Sequence, residues 1–261
     1  MNNYHSHTAL CKHADGEVSD YARVAAQRGM KILGVSDHSP LPDGRWSWVR
    51  MSMEELDGYE GQIDLARELY PKLKILKALE CEWDRDYRNF YREEILYRRN
   101  FDYLVGAVHW VPYHGDFLEL SELENASHLR AYADIIIKTM NSGLFSFIAH
   151  PDAFGSGYTR WDENSKSCAL DIIAAARDLD VPLEINGYGF RKSPVYGPKG
   201  PQRRYPIEEF WRIAGEYTVR ALVNSDAHDP EDIDASLDQA AELGRRCRVE
   251  LIQELNPLSV A

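Results

Sequence analysis

The chain has 261 residues, of which 44% are apolar and 28% are charged. That length suits one sizeable hydrophobic core, and α/β barrels often form a single domain of about 200 to 250 residues. We therefore expect one domain over residues 1–261. Asp and Glu number 42 against 30 Lys and Arg, a formal net charge of −12, so the chain lacks a basic field that would gather nucleic-acid phosphates. Nucleic acid is a poor candidate partner.

The start of the chain, its apolar runs and its cysteines indicate the cellular compartment in which the protein is expected. The start of the chain lacks the basic and apolar stretches of a secretory signal, and no later run of about 18 apolar residues could cross a membrane. The four cysteines are widely spaced and too few to cross-link a fold of this size. We expect a soluble, cytoplasmic protein without a membrane partner.

Short β-prone segments alternate with amphipathic segments along the chain. The predicted strands are 3–7, 31–36, 73–79, 103–108, 145–149, 181–185 and 219–223. The predicted helices are 18–28, 53–70, 87–99, 129–140, 168–179, 207–215 and 230–243. Repeated βα units of this kind imply a parallel sheet, arranged either as a barrel or as a doubly wound sheet.

Local signals mark several element boundaries. Ser52 followed three residues later by Glu55 is a capping-box pattern, which predicts the start of the second helix. Gly29 and Gly143 fall where helices should end. The Pro- and Gly-rich segment 193–206 is predicted to be a long functional loop and not a domain boundary.

The placement of the histidines favours the barrel. Seven of the nine histidines lie at the C-terminal end of a predicted strand or in the loop that follows it, and so do one Glu and one Asp. In a barrel these strand ends converge on one face, whereas an open sheet spreads them along an edge. The candidate site residues are His5, His7, His13, His38, Glu80, His109, His150, Asp226 and His228.

Spacing within this set is typical of metal ligands. His5 and His7 are two residues apart on a predicted strand, and Asp226 and His228 share that spacing on an extended segment, so each pair would point to one side. Glu80 ends a strand, although Glu82 shares its face and spacing does not decide between them. Alone, each histidine could equally be a core or surface residue, but that explanation would have to recur at one strand end after another.

The residue types indicate which metals fit. A set rich in imidazole with few carboxylates suits zinc, manganese or iron better than magnesium or calcium. Nine ligands exceed the positions around one ion, so two to three divalent ions are predicted. Cys11 and Cys81 lie close to ligands in sequence but are interpreted as structural, and Asp37 could orient its neighbour His38.

The motifs resemble the PHP (polymerase and histidinol phosphatase) superfamily from residue 4 to about residue 230. The segments that carry the resemblance are HSHTALCKHA at 5–14, SDHSP at 36–40, Glu80, GAVH at 106–109, AHPD at 149–152 and NSDAH at 224–228. SPLP at 39–42, RMSMEEL at 50–56 and LEIN at 183–186 are similar to the histidinol-phosphatase branch. The sequence departs from the pattern at Ala107, where Ser is common, and in a Gly-Tyr-Gly insert at 187–189.

The resemblance implies a fold and a ligand set. The fold is a single-domain, distorted (β/α)7 barrel, which is TIM-barrel-like, with a trinuclear metal site. The family pattern assigns three ligand groups: His5, His7, Glu80 and Asp226 for one ion, Glu80, His109 and His150 for a second, and His13, His38 and His228 for a third.

The activity implied by the resemblance is that of a phosphomonoesterase in histidine biosynthesis, which converts L-histidinol phosphate and water to L-histidinol and phosphate. A metal-bridging hydroxide would attack phosphorus, and the third ion or a proton from the region of His228 and Asp226 would assist the departing alkoxide. Arg191 and Arg160 are candidates to bind the phosphate oxygens. The loop 42–51, with Arg45, Trp46 and Trp48, could cover the imidazole ring of this small-molecule substrate.

Two other functions remain open from sequence. A related phosphodiesterase, exonuclease or phosphatase acting on nucleotides or other small phosphate esters would use the same ligands. The missing basic patch and the absence of a polymerase-sized partner domain argue against the nucleotide enzymes. A metal-storage or regulatory module would need the open coordination positions of the site to be blocked.

Overall fold

A computed structural model of the chain describes residues 1–255, which form two compact units. The first unit comprises Met1–Val105 and Asn224–Ala235, and the second comprises Gly106–Val223 and Ser236–Leu255. Both alternate parallel strands with helices, as predicted. The prediction of a single domain over residues 1–261 stays a prediction.

The first unit is built on a parallel arrangement of strands in the order β1, β2, β3 and β4. These are β1 (Asn2–Asn3), β2 (Ile32–Val35), β3 (Lys74–Glu82) and β4 (Tyr103–Ala107), whose last two residues belong to the second unit. All four residues of β2 are buried, which matches its uninterrupted apolar sequence. The helices of this unit are α1 (Val18–Gln27), α2 (Leu56–Leu69) and a π-helix (Phe90–Arg98).

The helix boundaries of the first unit confirm one predicted signal and correct another. The chain leaves α1 through Gly29, whose φ of +68° is a left-handed conformation that favours glycine. Helix α2 begins at Leu56, three residues after the predicted start. The Glu55 side chain does accept the Ser52 N–H at 2.7 Å, but this contact closes the turn that precedes the helix.

In the second unit the strands follow the order β4, β7, β8, β11 and β12. These are β7 (Phe147–Ile148), β8 (Leu183–Asn186), β11 (Arg220–Asn224) and β12 (Glu250–Leu251). Two hairpins are added, β5 (Trp110–Tyr113) with β6 (Asp116–Glu119) and β9 (Val195–Gly197) with β10 (Gly200–Gln202). The helices are α3 (Ala126–Asn141), α4 (Glu163–Asp178), α5 (Tyr188–Arg191), α6 (Glu208–Glu216) and α7 (Leu237–Arg246).

The seven predicted strands all appear with shifted ends, but β12 and both hairpins were missed. Hairpin β9–β10 occupies part of segment 193–206, so the prediction of a loop there is wrong for those residues. Hairpin β5–β6 turns through His114 and Gly115, which have φ values of +51° and +85°. A hairpin turn with two left-handed residues suits the twist of its strands. Strands of three or four residues give too short an alternation to be detected.

The longest helices are amphipathic. Helices α3 and α4 each have 16 residues, and α3 buries the face that carries Leu129, Tyr132 and Ile136. This spacing of three and four residues is that of one helical face against a core. Within residues 1–255, no helix combines the length and apolar character that crossing a membrane requires.

Candidate metal centre

Seven of the nine candidate residues lie together in the first unit. They follow β1, β2 and β11 or lie within β3, so strand ends supply most of them. Glu80 is an interior residue of β3, because that strand continues to Glu82, and it forms an isolated parallel bridge with His38. The group consists of His5, His7, His13, His38, Glu80, Asp226 and His228.

Glu80 faces three of these histidines. Its Oε1 lies 3.4 Å from His5 Nε2, and its Oε2 lies 3.5 Å from His7 Nε2 and 3.0 Å from His38 Nδ1. The carboxylate is buried, with only 1% of its side chain exposed. These distances favour Glu80 over Glu82 as the β3 carboxylate of the site. Sequence spacing had left that choice open.

Asp226 supplies the second buried carboxylate. Its Oδ1 lies 3.1 Å from His7 Nε2, 3.6 Å from His5 Nε2 and 3.5 Å from His228 Nδ1. The expected extended backbone is wrong here, because Asp226 has a φ of +50°. A left-handed turn therefore brings the Asp226 and His228 side chains together. Such a conformation is strained for a residue other than glycine, and strain of this kind is often found at functional sites.

Two asparagines join the chain segments that carry these ligands. The Asn224 Oδ1 accepts the Tyr4 N–H at 2.8 Å, and the Asn3 Oδ1 accepts the Ser225 N–H at 2.9 Å. The His7 N–H then donates to the Ala227 carbonyl at 2.9 Å. These reciprocal bonds set the register between residues 3–7 and 224–227.

Backbone carbonyls orient two of the imidazoles. His13 Nδ1 lies 2.8 Å from the Cys11 carbonyl oxygen, and His228 Nδ1 lies 3.1 Å from the Asp226 carbonyl oxygen. A carbonyl oxygen only accepts, so Nδ1 carries the proton in both rings and Nε2 has the lone pair that can bind a metal. The two ring centroids are 5.0 Å apart.

The pKa values of the buried groups show that the two carboxylates of the cluster are stabilised by positive charge. Burial alone would lower the pKa of His7, but the Asp226 and Asp37 carboxylates raise it to about 9. Burial alone would raise the pKa of Asp226, yet His5, His7 and His228 hold it well below its usual range. Burial and the charge of His7 lower the pKa of His228 to about 3, so this ring is neutral. A divalent cation would supply the charge that the buried carboxylates require.

The donor atoms of the first unit fit transition metals. His7, His38 and His228 each place one donor atom within 4.8 Å of the others, and His5, His7 and Glu80 do the same. Nitrogen donors from imidazole with one or two carboxylate oxygens are the usual ligands of zinc and related ions.

Cys11 also lies near the site, although it was interpreted as structural from sequence. Its sulfur is within 4.8 Å of the donor atoms of His13 and His228. Burial, with a contribution from Asp37, raises the pKa of the thiol well above its ordinary value. Because the thiolate is the metal-binding form, the structure continues to favour a structural role.

Asp37 supports a different histidine from the one that its position in the sequence suggested. Its Oδ2 accepts hydrogen bonds from the Thr8 N–H, at 3.0 Å, and from the Thr8 hydroxyl. Its Oδ1 lies 3.7 Å from His7 Nδ1. His38 lies against Glu80 instead, so Asp37 is next to His7 and not next to the ring of its sequence neighbour.

The other two candidates, His109 and His150, lie in the second unit with their ring centroids 5.0 Å apart. The His150 N–H donates to Glu184 Oε2 at 3.1 Å, which supports a residue whose φ is +31°. The Asn186 amide donates to the same oxygen at 2.8 Å. Glu184 and Asn186 are fully buried, and their place in the LEIN motif was their only sequence signal.

Asp152 is a further buried group that was not predicted to be a site residue. Its Oδ2 accepts the Ile207 N–H at 2.5 Å and the Trp211 indole N–H at 3.0 Å. Burial raises the pKa of Asp152 to about 6. The carboxylate thereby fixes the loop after His150 to the start of α6, and its place in the AHPD motif was the only sequence signal.

The two candidate phosphate-binding arginines differ in environment. Arg191 ends α5, is partly buried, and holds its guanidinium 5.2 Å from the centroid of the Tyr188 ring. Arg160 is exposed, donates to the Glu124 carbonyl at 3.1 Å and stacks on Tyr158 at 4.8 Å. Both lie in the second unit, and their contact with phosphate stays a prediction.

The loop 42–51 is anchored within the first unit. The Trp46 ring lies 5.5 Å from the guanidinium of Arg45 and 5.5 Å from that of Arg50, whereas Trp48 is 65% exposed. Lys12, which precedes His13, donates to the Ser47 carbonyl at 2.7 Å. Trp46 is therefore a packed residue, and its role in covering an imidazole stays a prediction.

Comparison with solved structures bears on the fold. The chain is similar to histidinol phosphate phosphatase from Lactococcus lactis, whose crystal structure contains zinc, L-histidinol and phosphate, with a TM-score of 0.73 at 16% sequence identity. The likeness covers 98% of this chain and 96% of that one. At this identity the likeness shows a shared fold, and it confirms the predicted TIM-barrel-like α/β fold class.

Sequence comparison identifies the family. "Probable histidinol-phosphatase" from Deinococcus radiodurans is 31% identical over 88% of this chain and 86% of its own length. "Probable phosphatase" from Shewanella amazonensis is 24% identical over 88% of this chain and 77% of its own. The model of the PHP domain matches residues 3–187, which include seven of the nine candidate ligands. The chain belongs to the PHP domain family.

Proposed function

We propose that this chain is a metal-dependent phosphomonoesterase that hydrolyses L-histidinol phosphate to L-histidinol and phosphate. The observation that carries the proposal is the buried cluster in which Glu80 and Asp226 lie 3.0–3.6 Å from ring nitrogens of His5, His7, His38 and His228. The name of the Deinococcus radiodurans relative supports the choice of substrate.

Zinc, manganese or iron would be held in two or three positions. In the first unit, His5, His7, Glu80 and Asp226 are the proposed ligands of one ion, and His13, His38 and His228 those of another. His109 and His150, which lie together in the second unit, are the remaining proposed ligands. Such ions, when bound, acidify water to provide a nucleophile at neutral pH and neutralise charge on phosphoryl oxygens.

One carboxylate and two backbone carbonyls contact the proposed ligands before any metal binds. Asp37 orients His7, and the Cys11 and Asp226 carbonyls fix the tautomers of His13 and His228. The pKa values of Asp226 and His228 both lie below their ordinary ranges, so both side chains are deprotonated at neutral pH. Deprotonation suits these two residues to hold a cation better than to donate a proton to the leaving alkoxide.

Arg191 is the proposed phosphate-binding residue, and Arg160 is a second candidate. Arg191 is preferred because it is partly buried, whereas Arg160 is exposed and bonded to a backbone carbonyl. A guanidinium can grip two phosphate oxygens with a geometry that an ammonium group cannot reproduce. This contact would seat the dianionic end of a phosphomonoester.

The proposal is tested by assaying the metal-loaded full chain against a panel of phosphate esters. The panel contains L-histidinol phosphate, nucleoside monophosphates, p-nitrophenyl phosphate and bis(p-nitrophenyl) phosphate, each with and without a chelator. We expect the highest kcat/KM with L-histidinol phosphate and loss of activity after chelation. Elemental analysis should find at least about two transition-metal equivalents per chain, because one ion has too few positions for these ligands.

Two results would contradict this function. Full activity in protein stripped of metal would refute metal dependence. A wild-type preference for the diester or for nucleotides would assign the same site to the alternative class of PHP phosphoesterases.

A further inference from the structure

His228 begins a short irregular segment, residues 228–234, that contains no strand or α-helix. Asp229 caps a 3-10 turn over Pro230–Asp232 by accepting the Glu231 N–H at 2.8 Å. The His228 side chain is 12% exposed, more than the buried side chains of His5 and His7. A ligand on such a segment needs support from outside the segment to keep its ring in place.

Arg28 provides that support from the end of α1. Its Nη1 donates to the Glu231 carbonyl at 2.8 Å, and its Nη2 donates to Glu231 Oε2 at 2.8 Å. The same guanidinium also donates to Asp234 Oδ1. The Arg28 N–H is bonded to the Val24 carbonyl at 3.0 Å, so the helix fixes the backbone from which this side chain extends. One guanidinium therefore holds three acceptors on the segment.

The residues before α1 hold the other end of the same segment. The Asp15 N–H donates to the His228 carbonyl at 2.9 Å. Gly16, with a φ of +81°, lies so close to Pro230 that an added Cβ would be 2.6 Å from the proline ring. Residues 15–16 and Arg28 thus contact the segment at its two ends.

These contacts have a consequence for metal binding. Ordering a loop costs conformational entropy, and a loop that is ordered before binding does not add that cost to the binding step. Arg28 does not contact His228, so it would act through the backbone of the segment. Its ion pairs lie near the surface, with 30% of the Arg28 side chain exposed, and surface pairs contribute little to global stability. The main effect of Arg28 should therefore appear in metal affinity.

We propose that Arg28 is a positioning residue that orders segment 228–234 and so raises the affinity of the metal position that includes His228. This inference rests on the proposed function, because it takes His228 as a ligand. It adds a contribution from a residue that is remote from His228 in sequence and acts on it only through the backbone of the segment.

The test compares Arg28→Ala, Arg28→Lys and Arg23→Ala in the full chain. Arg23 is the matched control, since it lies on the same helix, is exposed, and lies 4.0 Å from Asp20. The metal-free proteins are titrated with zinc alone in competition with a chromophoric chelator. His228→Ala identifies which zinc equivalent depends on that ligand. Circular dichroism melting of the metal-free proteins provides a second measurement.

We expect Arg28→Ala to bind this zinc equivalent about tenfold more weakly, as loss of an outer support for a ligand does. Arg28→Lys should recover part of the loss, because an ammonium group reaches fewer acceptors at once. Arg23→Ala should bind zinc as the wild type does, and the Tm values of the metal-free proteins should be similar.

Equal zinc affinity of the wild type and Arg28→Ala would overturn the proposal, whichever ester the enzyme hydrolyses. An equal loss in Arg23→Ala would also overturn it. If Arg28→Ala fails to fold, Asp234→Ala is used instead: it removes one of the three acceptors of Arg28 and should weaken the same zinc equivalent to a smaller extent. Wild-type protein that binds zinc but does not hydrolyse L-histidinol phosphate would refute the function and leave the Arg28 proposal standing.

Discussion

The two units use buried carboxylates in different ways. In the first unit, the oxygens of Glu80 and Asp226 face imidazole nitrogens at 3.0–3.6 Å. In the second unit, Glu184 accepts hydrogen bonds from a backbone N–H and an Asn amide, and Asp152 accepts from a backbone N–H and an indole.

This difference separates ligands from supporting groups. A carboxylate oxygen that accepts N–H bonds from groups without ionisable protons, as Glu184 Oε2 and Asp152 Oδ2 do, is satisfied by the protein itself, and its effect is to fix the backbone around it. A carboxylate surrounded by imidazoles is satisfied only when positive charge enters the cluster, either as protons or as metal ions. Buried acidic residues near a candidate site can thus be sorted by the donors that face them.

The largest effect is expected from the first unit. Replacing His7 by Ala removes the ring that lies beside both Glu80 and Asp226, so turnover should fall by at least about a hundredfold, more than is typical for an outer partner. Steady-state kinetics and metal analysis would measure this, and His38→Ala and His228→Ala should behave alike.

His114→Ala and His128→Ala are the controls. His114 lies in the turn of hairpin β5–β6, and His128 accepts the Glu124 N–H at the start of α3. Neither belongs to the cluster, so neither substitution should change metal content. Similar losses in all five variants would show that ligands and ordinary histidines are not distinguished by this cluster.

A smaller effect is expected at Glu184. Glu184→Ala removes the acceptor of the His150 N–H and should reduce kcat/KM by about 10- to 100-fold, as loss of an outer partner does. Glu184→Gln keeps an acceptor oxygen and should retain most of the activity. Glu163, which is exposed at the start of α4, provides the control Glu163→Ala. If Glu184→Gln were as inactive as Glu184→Ala, the carboxylate charge itself would be required, and Glu184 would belong with Glu80 and Asp226.

The smallest effect is expected at Arg191. Arg191→Lys keeps the charge but loses one of two hydrogen bonds to phosphate, which should lower kcat/KM for L-histidinol phosphate by about tenfold. Metal content should not change, because no proposed ligand is altered. The same substitution should affect bis(p-nitrophenyl) phosphate less, since a diester lacks the second anionic oxygen. Wild-type kinetics on L-histidinol phosphate would remove Arg191 from the substrate site.

Strand ends are easy to recognise in a sequence, which is why the candidate residues could be selected before their positions in space were known. An apolar run such as residues 32–35 ends at a polar residue, and in repeated βα units such ends meet on one side of the sheet. His38 and Glu80 could therefore be placed near each other from sequence. In the structure they form an isolated parallel β-bridge.

Other features depend on contacts that sequence spacing does not encode. Glu184 and Asn186 lie in a short strand whose alternation resembles that of any half-buried strand, so their burial was not apparent. The left-handed backbone of Asp226 could not be predicted from sequence, because Asp adopts a positive φ more often than most residues but still does so at only a minority of its positions. The partners of Asp152 come from residues 207 and 211, more than 50 positions away.

The hydrogen bonds that join residues 3–4 to residues 224–225 also govern when the site can form during synthesis. The bond between Tyr4 and Asn224 spans 220 positions, and contacts so distant along a chain form slowly because a large loop must close first. A nascent chain that has not reached residue 226 lacks two of the proposed ligands, Asp226 and His228. Binding of a metal by the complete set of proposed ligands in the first unit must therefore follow translation of residue 228.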